Sequence, residues 1–410
     1  MRRPSPWLVV VVVLLGILLL REPRVRQGDD VLLAWFLEHA QAHLPPAQVA
    51  LIEIHREDLR SFPILPAKGS RAEATTAKKK LLRTVSPLEY ALFLQAAMEF
   101  QPAVIALEPI VIWRTREKDQ EQVFLDEAMR VPKLLVGMRL GESGPRDIAT
   151  DEILSFSQVT GERGRLAEYP GVSHRPDDDI RLISTPGFIN LPADRSDRVR
   201  VPMLFDYRGE IVPSFPLQAI LLWLRTTPSD VKVELGRQIL LPNGWKIPLH
   251  IDGTATINPV AAGSVRHVSL DQLLLAAQEH QSHRPPTVDL SGLNDQIVVL
   301  RAADDPLQPP NIFATAIATI QENAYPHRVS PLWDWLIVLA AALLSCFLWK
   351  IPKGDLILMA LAMSAGYALL VLAILSQHRL WLPMQLPLAL LWFLVIVRLF
   401  ARDKAKSAAM

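Results

Sequence analysis

The sequence predicts an α/β fold: one mixed sheet-and-helix domain outside the cytoplasm, joined to four transmembrane helices. Three observations point there. Half of the 410 residues are hydrophobic and 21% are charged, whereas a soluble chain carries nearer a quarter. Long apolar runs cluster at the two ends of the chain. Between them, short apolar strands alternate with amphipathic helices, the order that gives parallel pairing and right-handed crossovers.

The first run, residues 7–20 (WLVVVVVLLGILLL), carries no charge. As a helix it rises about 21 Å, short of a ~30 Å hydrocarbon core. A signal-peptide core has the same length, but no small cleavage-site residues follow this one. Residues 1–21 are therefore read as an uncleaved anchor, with Arg3, Trp7 and Arg21 reaching the interfaces. Residues 332–349, 356–376 and 380–400 are three further runs long enough to span. Pro383 and Pro387 lie in the last of them and are tolerable in lipid.

Lys350 and Lys353 follow the second run, and Arg402, Lys404 and Lys406 follow the fourth. With Arg2 and Arg3 they fall on one side of the bilayer. The positive-inside rule then puts both termini in the cytoplasm and residues 22–331 outside it. Arg21, Arg24 and Arg26 run against that rule. In a cell with two membranes, helical spans suit the inner one. Residues 401–410 make a short cytoplasmic tail, so enzymatic output is expected from another chain.

Within the central segment, residues 48–54 read as a strand. Residues 86–100 read as a helix with Ser86 as N-cap and Pro87 at its first position. Strands at 103–110 and 133–139 flank a helix at 119–130. Residues 141–185, with recurring Pro, Gly and Asp, read as irregular surface. Residues 187–191 and 200–207 read as two strands joined by a polar turn, with a helix at 217–225 after them. Residues 231–249 read as two strands around Pro242-Asn243-Gly244, since Asn-Gly is a strong turn signal. An N-capped helix at 269–279, a strand at 296–301 and a helix at 311–323 complete the domain. The Lys/Ala/Thr-rich stretch 62–83 is an insertion, read as a solvated loop or as a contact with anionic headgroups.

Chemical motifs are sparse. A net charge of +1 with no basic stripe argues against a nucleic-acid partner. Cys346 is the sole cysteine, which excludes an intramolecular disulfide, a four-cysteine zinc site and CxxC chemistry. No GxGxxG follows the first strand and no GxxxxGK[ST] occurs, so phosphate cradling is unsupported. Ser214 stands in PSFP, not in a G-x-S-x-G elbow. His280 and His283 have a spacing that can bind zinc, but exposed loop histidines are the stronger reading. No enzyme activity, cofactor or metal is expected.

The most distinctive stretch is GFINLPADRSDRVRVP, residues 187–202. Asp194 and Asp197 flank the turn, and Arg198 and Arg200 follow. One reading is a plain hairpin whose aspartates favour the turn. The other is a ligand rim, in which carboxylates and a guanidinium face a small polar molecule or ion.

The longer run GFINLPADRSDRVRVPMLFDYRGEIVPSFPLQAI resembles the type-2 CHASE family, the cyclase/histidine-kinase-associated sensory extracellular domains. Gly187, Phe188, Asn190, Asp194, Asp197, Arg200, Pro202, Pro213 and Ser214 follow that family's pattern in order. VALIEIHREDL from Val49 is similar to its opening strand, and VIALEPI from Val104 to its second. INPVAAGSVRHVSLDQLL from Ile257 is similar to its Ile-Asn-Tyr stretch, and residues 295–300 to the strand that follows. One amino-terminal and three carboxy-terminal spans is also the family's usual layout. The chain departs from the pattern at His55-Arg56, at Thr84-Val85-Ser86-Pro87, at Glu108 and at Arg301-Ala302-Ala303.

The resemblance implies a multi-pass inner-membrane protein whose extracytoplasmic sensory domain relays a signal to a separate partner. If the rim reading holds, the expected ligand contacts are Asp194, Asp197 and Arg200, with Asn190 and Asn258 as supports. The alternative is an envelope structural or assembly protein that uses the same domain to bind other proteins. The expected partners are the lipid bilayer, a separate signalling or envelope protein and, in a homo-oligomer, a second copy.

Overall fold

The computed structural model describes residues 6–39, 44–54, 86–113, 118–141, 153–191, 199–302, 311–329, 332–348 and 352–400. The chain divides into two compact units, residues 44–324 and residues 1–43 with 325–410. The apolar runs alone place the corresponding boundaries at 21/22 and 331/332. The difference at the amino-terminal side is a second helix. After α1 (Pro6–Arg21) comes α2 (Pro23–His39), and it belongs to the helical unit.

The 44–324 unit is a mixed α/β domain. It opens with β1 (Val49–Ile54), α3 (Pro87–Met98), β2 (Val104–Leu107), α4 (Lys118–Arg130) and β3 (Leu134–Gly141). Short strands β4 (Gln158–Thr160), β5 (Glu168–Tyr169) and β6 (Gly171–His174) follow, then α5 (Asp178–Ile183) and β7 (Thr185–Phe188). Next come β8 (Arg200–Pro202), β9 (Leu204–Tyr207), β10 (Glu210–Pro213) and α6 (Phe215–Trp223). Four small strands follow: β11 (Lys232–Glu234), β12 (Gln238–Leu240), β13 (Lys246–Pro248) and β14 (Thr254–Thr256). The unit closes with β15 (Arg266–Ser269), α7 (Leu270–Gln281), β16 (Ile297–Ala302) and α8 (Ile312–Gln321).

The main sheet has seven strands in the order β15-β1-β16-β2-β3-β6, with β7 also on β3. All its pairs are parallel except β3 with β6. Strands of this kind are covered on both faces and read as near-continuous apolar runs, as VALIEI and IVVLRA do. On one face, Ile52, Leu107, Val136 and Leu300 pack against α3, α4 and α7. On the other lie α6 and α8. Helix α3 starts as its sequence predicts. The Ser86 hydroxyl accepts from the Glu89 amide at 3.3 Å, and the Glu89 carboxylate accepts from the Ser86 amide at 2.7 Å, a capping box.

Three expectations change. Residues 187–191 and 200–207 do not form a hairpin. Strand β7 runs parallel to β3 inside the main sheet, and β8 pairs antiparallel with β14. Gly187 lets β7 sit there, since a Cβ on it would lie 2.7 Å from the Phe215 ring. The stretch 141–185 is not wholly irregular. Its strands are only two to four residues long, too short for an alternating pattern to register. Residues 231–249 hold three strands, not two. Gly236 at φ +71° turns β11 into β12, and Gly244 at φ +86° turns β12 into β13.

The helical unit contains α1, α2, α9 (Leu332–Leu348), α10 (Lys353–His378) and α11 (Gln385–Phe400), with two-residue strands β17 (His327–Arg328) and β18 (Leu380–Trp381). Val12, Val338, Leu356, Leu390 and Leu394 form its interior. Among the described residues, one helix, residues 354–377, is long and apolar enough to cross a membrane, while the apolar parts of α1, α9 and α11 are shorter. The run 380–400 is not one helix, because β18 takes its start and α11 begins at Gln385. The α11 start is capped from outside its own chain segment. The Met384 and Gln385 amides donate to Asp29 Oδ1 of α2 at 3.0 and 2.8 Å, which satisfies two of the orphan N–H groups at a helix start.

Two substitutions test the packing of the domain. Ser86→Ala removes half of the capping box and should cost about 1 kcal/mol. A Cβ at Gly137 would lie 2.2 Å from the Glu108 carbonyl oxygen. Gly137→Ala must therefore move backbone, at a cost of about 1–3 kcal/mol. Chemical denaturation of the detergent-solubilised chain should rank Gly137→Ala as the more damaging; the reverse order would mean that the sheet yields at that point.

Candidate polar site at the sheet edge

Open α/β sheets build sites at the carboxyl ends of their strands, where neighbouring connections leave toward opposite faces. In this sheet that place is β16. The chain leaves β1 and β2 toward α3 and α4 on one face, and leaves β16 toward α8 on the other.

Three charged residues stand in one row there. Glu53 on β1 is in register with Arg301 on β16. Leu300 is in register with Leu107, so Glu108 flanks Arg301 on its other side. The Glu108 amide donates to the Leu300 carbonyl at 3.0 Å, which extends the ladder to this row. Side chains alternate along a strand, and Ile52, Leu107 and Leu300 face α3. Glu53, Glu108 and Arg301 therefore share the α8 face.

Arg301 is 5% exposed and Glu108 is equally buried. Arg301 Nη1 donates to Glu53 Oε1 at 3.4 Å and to Asn311 Oδ1 at 3.3 Å. Asn311 is the N-cap of α8 and sits at φ 65°, a left-handed conformation that Asn adopts more readily than most residues. Its side chain does not cap the helix; it accepts from Arg301 instead. Arg301 Nε is buried without a hydrogen-bond partner. A buried guanidinium carries a desolvation penalty of several kcal/mol unless charges and hydrogen bonds offset it, and the two carboxylates supply opposite charge. The row's two carboxylates flank a guanidinium, and arginine does not give up its proton. It can bind and discriminate charge, and it couples β1, β16 and the α8 start. Among the described residues, no group of three or more His, Cys, Asp or Glu is placed to hold a metal.

The residues expected from the sequence are placed as follows. Asp194 and Asp197 lie outside the described residues. Arg200 opens β8 opposite Thr256 of β14. Asn258 follows on the β14 side of that same ladder, where Ile257 N donates to the Val199 carbonyl. Its side chain accepts from the Val260 amide at 3.1 Å and donates to the Ala324 carbonyl at 3.2 Å. Asn190 is elsewhere, over the end of β3. It accepts from the Leu140 amide at 2.8 Å and donates to the Leu140 carbonyl at 2.9 Å. The structure thus puts Arg200 on a ladder that ends two residues before Asn258, and both buried asparagines spend their amides on backbone.

A second cleft, of about 280 Å³, opens at the amino-terminal edge of the sheet. Glu99, Phe100, His280, Arg284, Asp289 and Asn294 line it. His280 Nδ1 lies 3.6 Å from Glu99 Oε2, and His283 Nδ1 lies 3.2 Å from the His280 carbonyl. Hydrogen bonds from the Ser291 hydroxyl and amide hold the Asp289 carboxyl below its ordinary range.

Two measurements probe the row and the β3 clamp. A double-mutant cycle of Glu53→Gln and Arg301→Gln should return a coupling of about 1 kcal/mol; additive losses would mean that their contact carries nothing. Asn190→Ala removes the acceptor of the buried Leu140 amide, while the Ser173 hydroxyl still donates to the Leu140 carbonyl at 3.3 Å; it should cost about 1–3 kcal/mol in denaturant unfolding.

Residues 9–348 match the family model described as the CHASE2 domain. No curated protein and no solved structure matches the chain. The matched region takes in most of α1, all of α2, the whole α/β unit and α9, well over half of the sequence. The chain belongs to the CHASE2 domain family, a family of sensory domains.

Proposed function

We propose that this chain is a non-enzymatic membrane sensor. In this reading α1, α9, α10 and α11 cross an inner membrane and both termini are cytoplasmic. The 44–324 unit lies outside and shifts between two states, and a separate protein receives the shift and supplies the enzymatic output.

The observation that carries the reading is the apolar outer surface of the helical unit. Leu343 is 67% exposed, Leu358 72% and Leu369 67%, although Val12, Val338, Leu356, Leu390 and Leu394 already fill the interior. Water tolerates such continuous apolar surface poorly; lipid tails favour it. Helix α10 has 26 residues, a rise of about 39 Å. Helices α1, α9 and α11 have 16, 17 and 16 residues. They would rise about 24–26 Å, and flanking residues or local thinning make up such a shortfall. Membership of a sensory family supports the role.

The proposed sensing point is the row of Glu53, Arg301 and Glu108. A ligand moves an equilibrium only as far as it prefers one state. A charged ligand that competes for Arg301 meets this condition, because Arg301 also touches Asn311 at the start of α8.

Topology is tested by labelling in a Cys346→Ala background. In intact spheroplasts an impermeant maleimide should label the Lys246→Cys variant, and should label Lys404→Cys only after lysis. Labelling of both variants, or of Lys404→Cys alone, before lysis overturns the arrangement. Crosslinking in native membranes tests the relay. Recovery of one signalling enzyme supports it, whereas recovery of envelope-building proteins alone moves the protein to an assembly role.

A further inference from the structure

We infer that α2 is an interfacial helix, seated along the outer leaflet with one face against phospholipid. This rests on the membrane reading of the helical unit and adds to it a surface that the span assignment does not contain.

Helix α2 has two faces that differ in what covers them. Asp29, Leu33, Phe36 and Leu37 are buried and recur at the spacing of one helical face. That face is held by the start of α11. Asp29 caps the Met384 and Gln385 amides, and the Phe36 ring meets Trp381 edge-on at 5.8 Å. At Gly28 a Cβ would overlap the Gln385 side-chain amide, so that amide packs directly on the α2 backbone. The other face carries Val31 and Trp35, one turn apart, 68% and 53% exposed. Trp35 is held edge-on against Phe36 at 5.2 Å, which fixes the indole beside its own helix.

Two observations identify lipid as the occupant. The first is continuity with other apolar surface. Leu332, Trp333 and Trp335 in the first turn of α9 are also exposed. In the proposed topology the end of α1 and the starts of α9 and α11 all lie on the outer side. Trp35, Trp333 and Trp335 then fall at one membrane–water boundary, where tryptophan concentrates. The second is charge. Arg21, Arg24 and Arg26 stand where α1 passes into α2, on the side that the positive-inside rule disfavours. Asp29, Asp30 and Glu38 outnumber Arg24 and Arg26 within α2, so the basic residues are confined to its amino-terminal end beside α1, while Val31 and Trp35 supply the apolar side that an interfacial helix turns to the headgroup layer.

The test is depth measurement by nitroxide labels. The full-length chain in a Cys346→Ala background carries one label, at Val31→Cys, Trp35→Cys, Leu361→Cys or Lys246→Cys. Each is reconstituted into vesicles of phosphatidylcholine and phosphatidylglycerol. Residues 31 and 35 are more than half exposed, so labelling them spares the packing. The oxygen-to-nickel-chelate collision ratio at 31 and 35 should exceed that of the Lys246 control several-fold, and should be lower than at Leu361 on α10. A ratio at 31 and 35 equal to the Lys246 control, with Leu361 still oxygen-favoured, overturns the inference and leaves the membrane reading standing. Aqueous ratios at all four positions bring both down. Strong spin–spin broadening at 31 or 35 would mean that a second copy covers the face, which also overturns it.

Discussion

The α/β unit depends on the insertion of β16 between β1 and β2. These two early strands do not pair with each other; each pairs with residues 297–302. The centre of the sheet is thus completed by a segment about 250 residues later than the first strand it joins. Closing such a loop is entropically costly before any contact compensates, and folds dominated by distant pairings form slowly. Everything on the α8 face is conditional on this step. Arg301 meets Glu53, and Asn311 meets Arg301, only when β16 is in place.

Much of the fold was legible because local signals agreed. Ser86, Pro87 and Glu89 mark one helix start, and Ser269 and Gln272 mark another with the same reciprocal capping. The apolar strands β1, β2, β3 and β16 stand out by composition alone. What was not legible was partner choice. Thr185–Phe188 and Arg200–Pro202 look like neighbours in sequence, yet each finds its ladder with a distant strand. Nothing in a strand of three or four residues encodes which edge it will meet, since register is set by the whole buried face.

The candidate site illustrates the same limit. Asn190 and Asn258 stand out in a polar motif, but burial turned their amides toward backbone. The charged row was hidden in plain runs: a lone Glu in LIEI, a lone Arg in VVLR and a Glu closing IALE. A single charge at the carboxyl end of an apolar strand is the trace such a row leaves. Only the strand order shows that three of these traces lie side by side.

The carboxylate of Asp29 gives the helical unit a mechanical asymmetry. Helix α11 does not satisfy its own first amides; it borrows an acceptor from a segment some 355 positions earlier in the chain. In an apolar setting an unmet peptide N–H costs several kcal/mol. Helix α2 is therefore a latch on the last helix of the chain. A pull that lifts it by one hydrogen-bond length strips two amides at once, and α11 must then find water, unwind its first turn or shift.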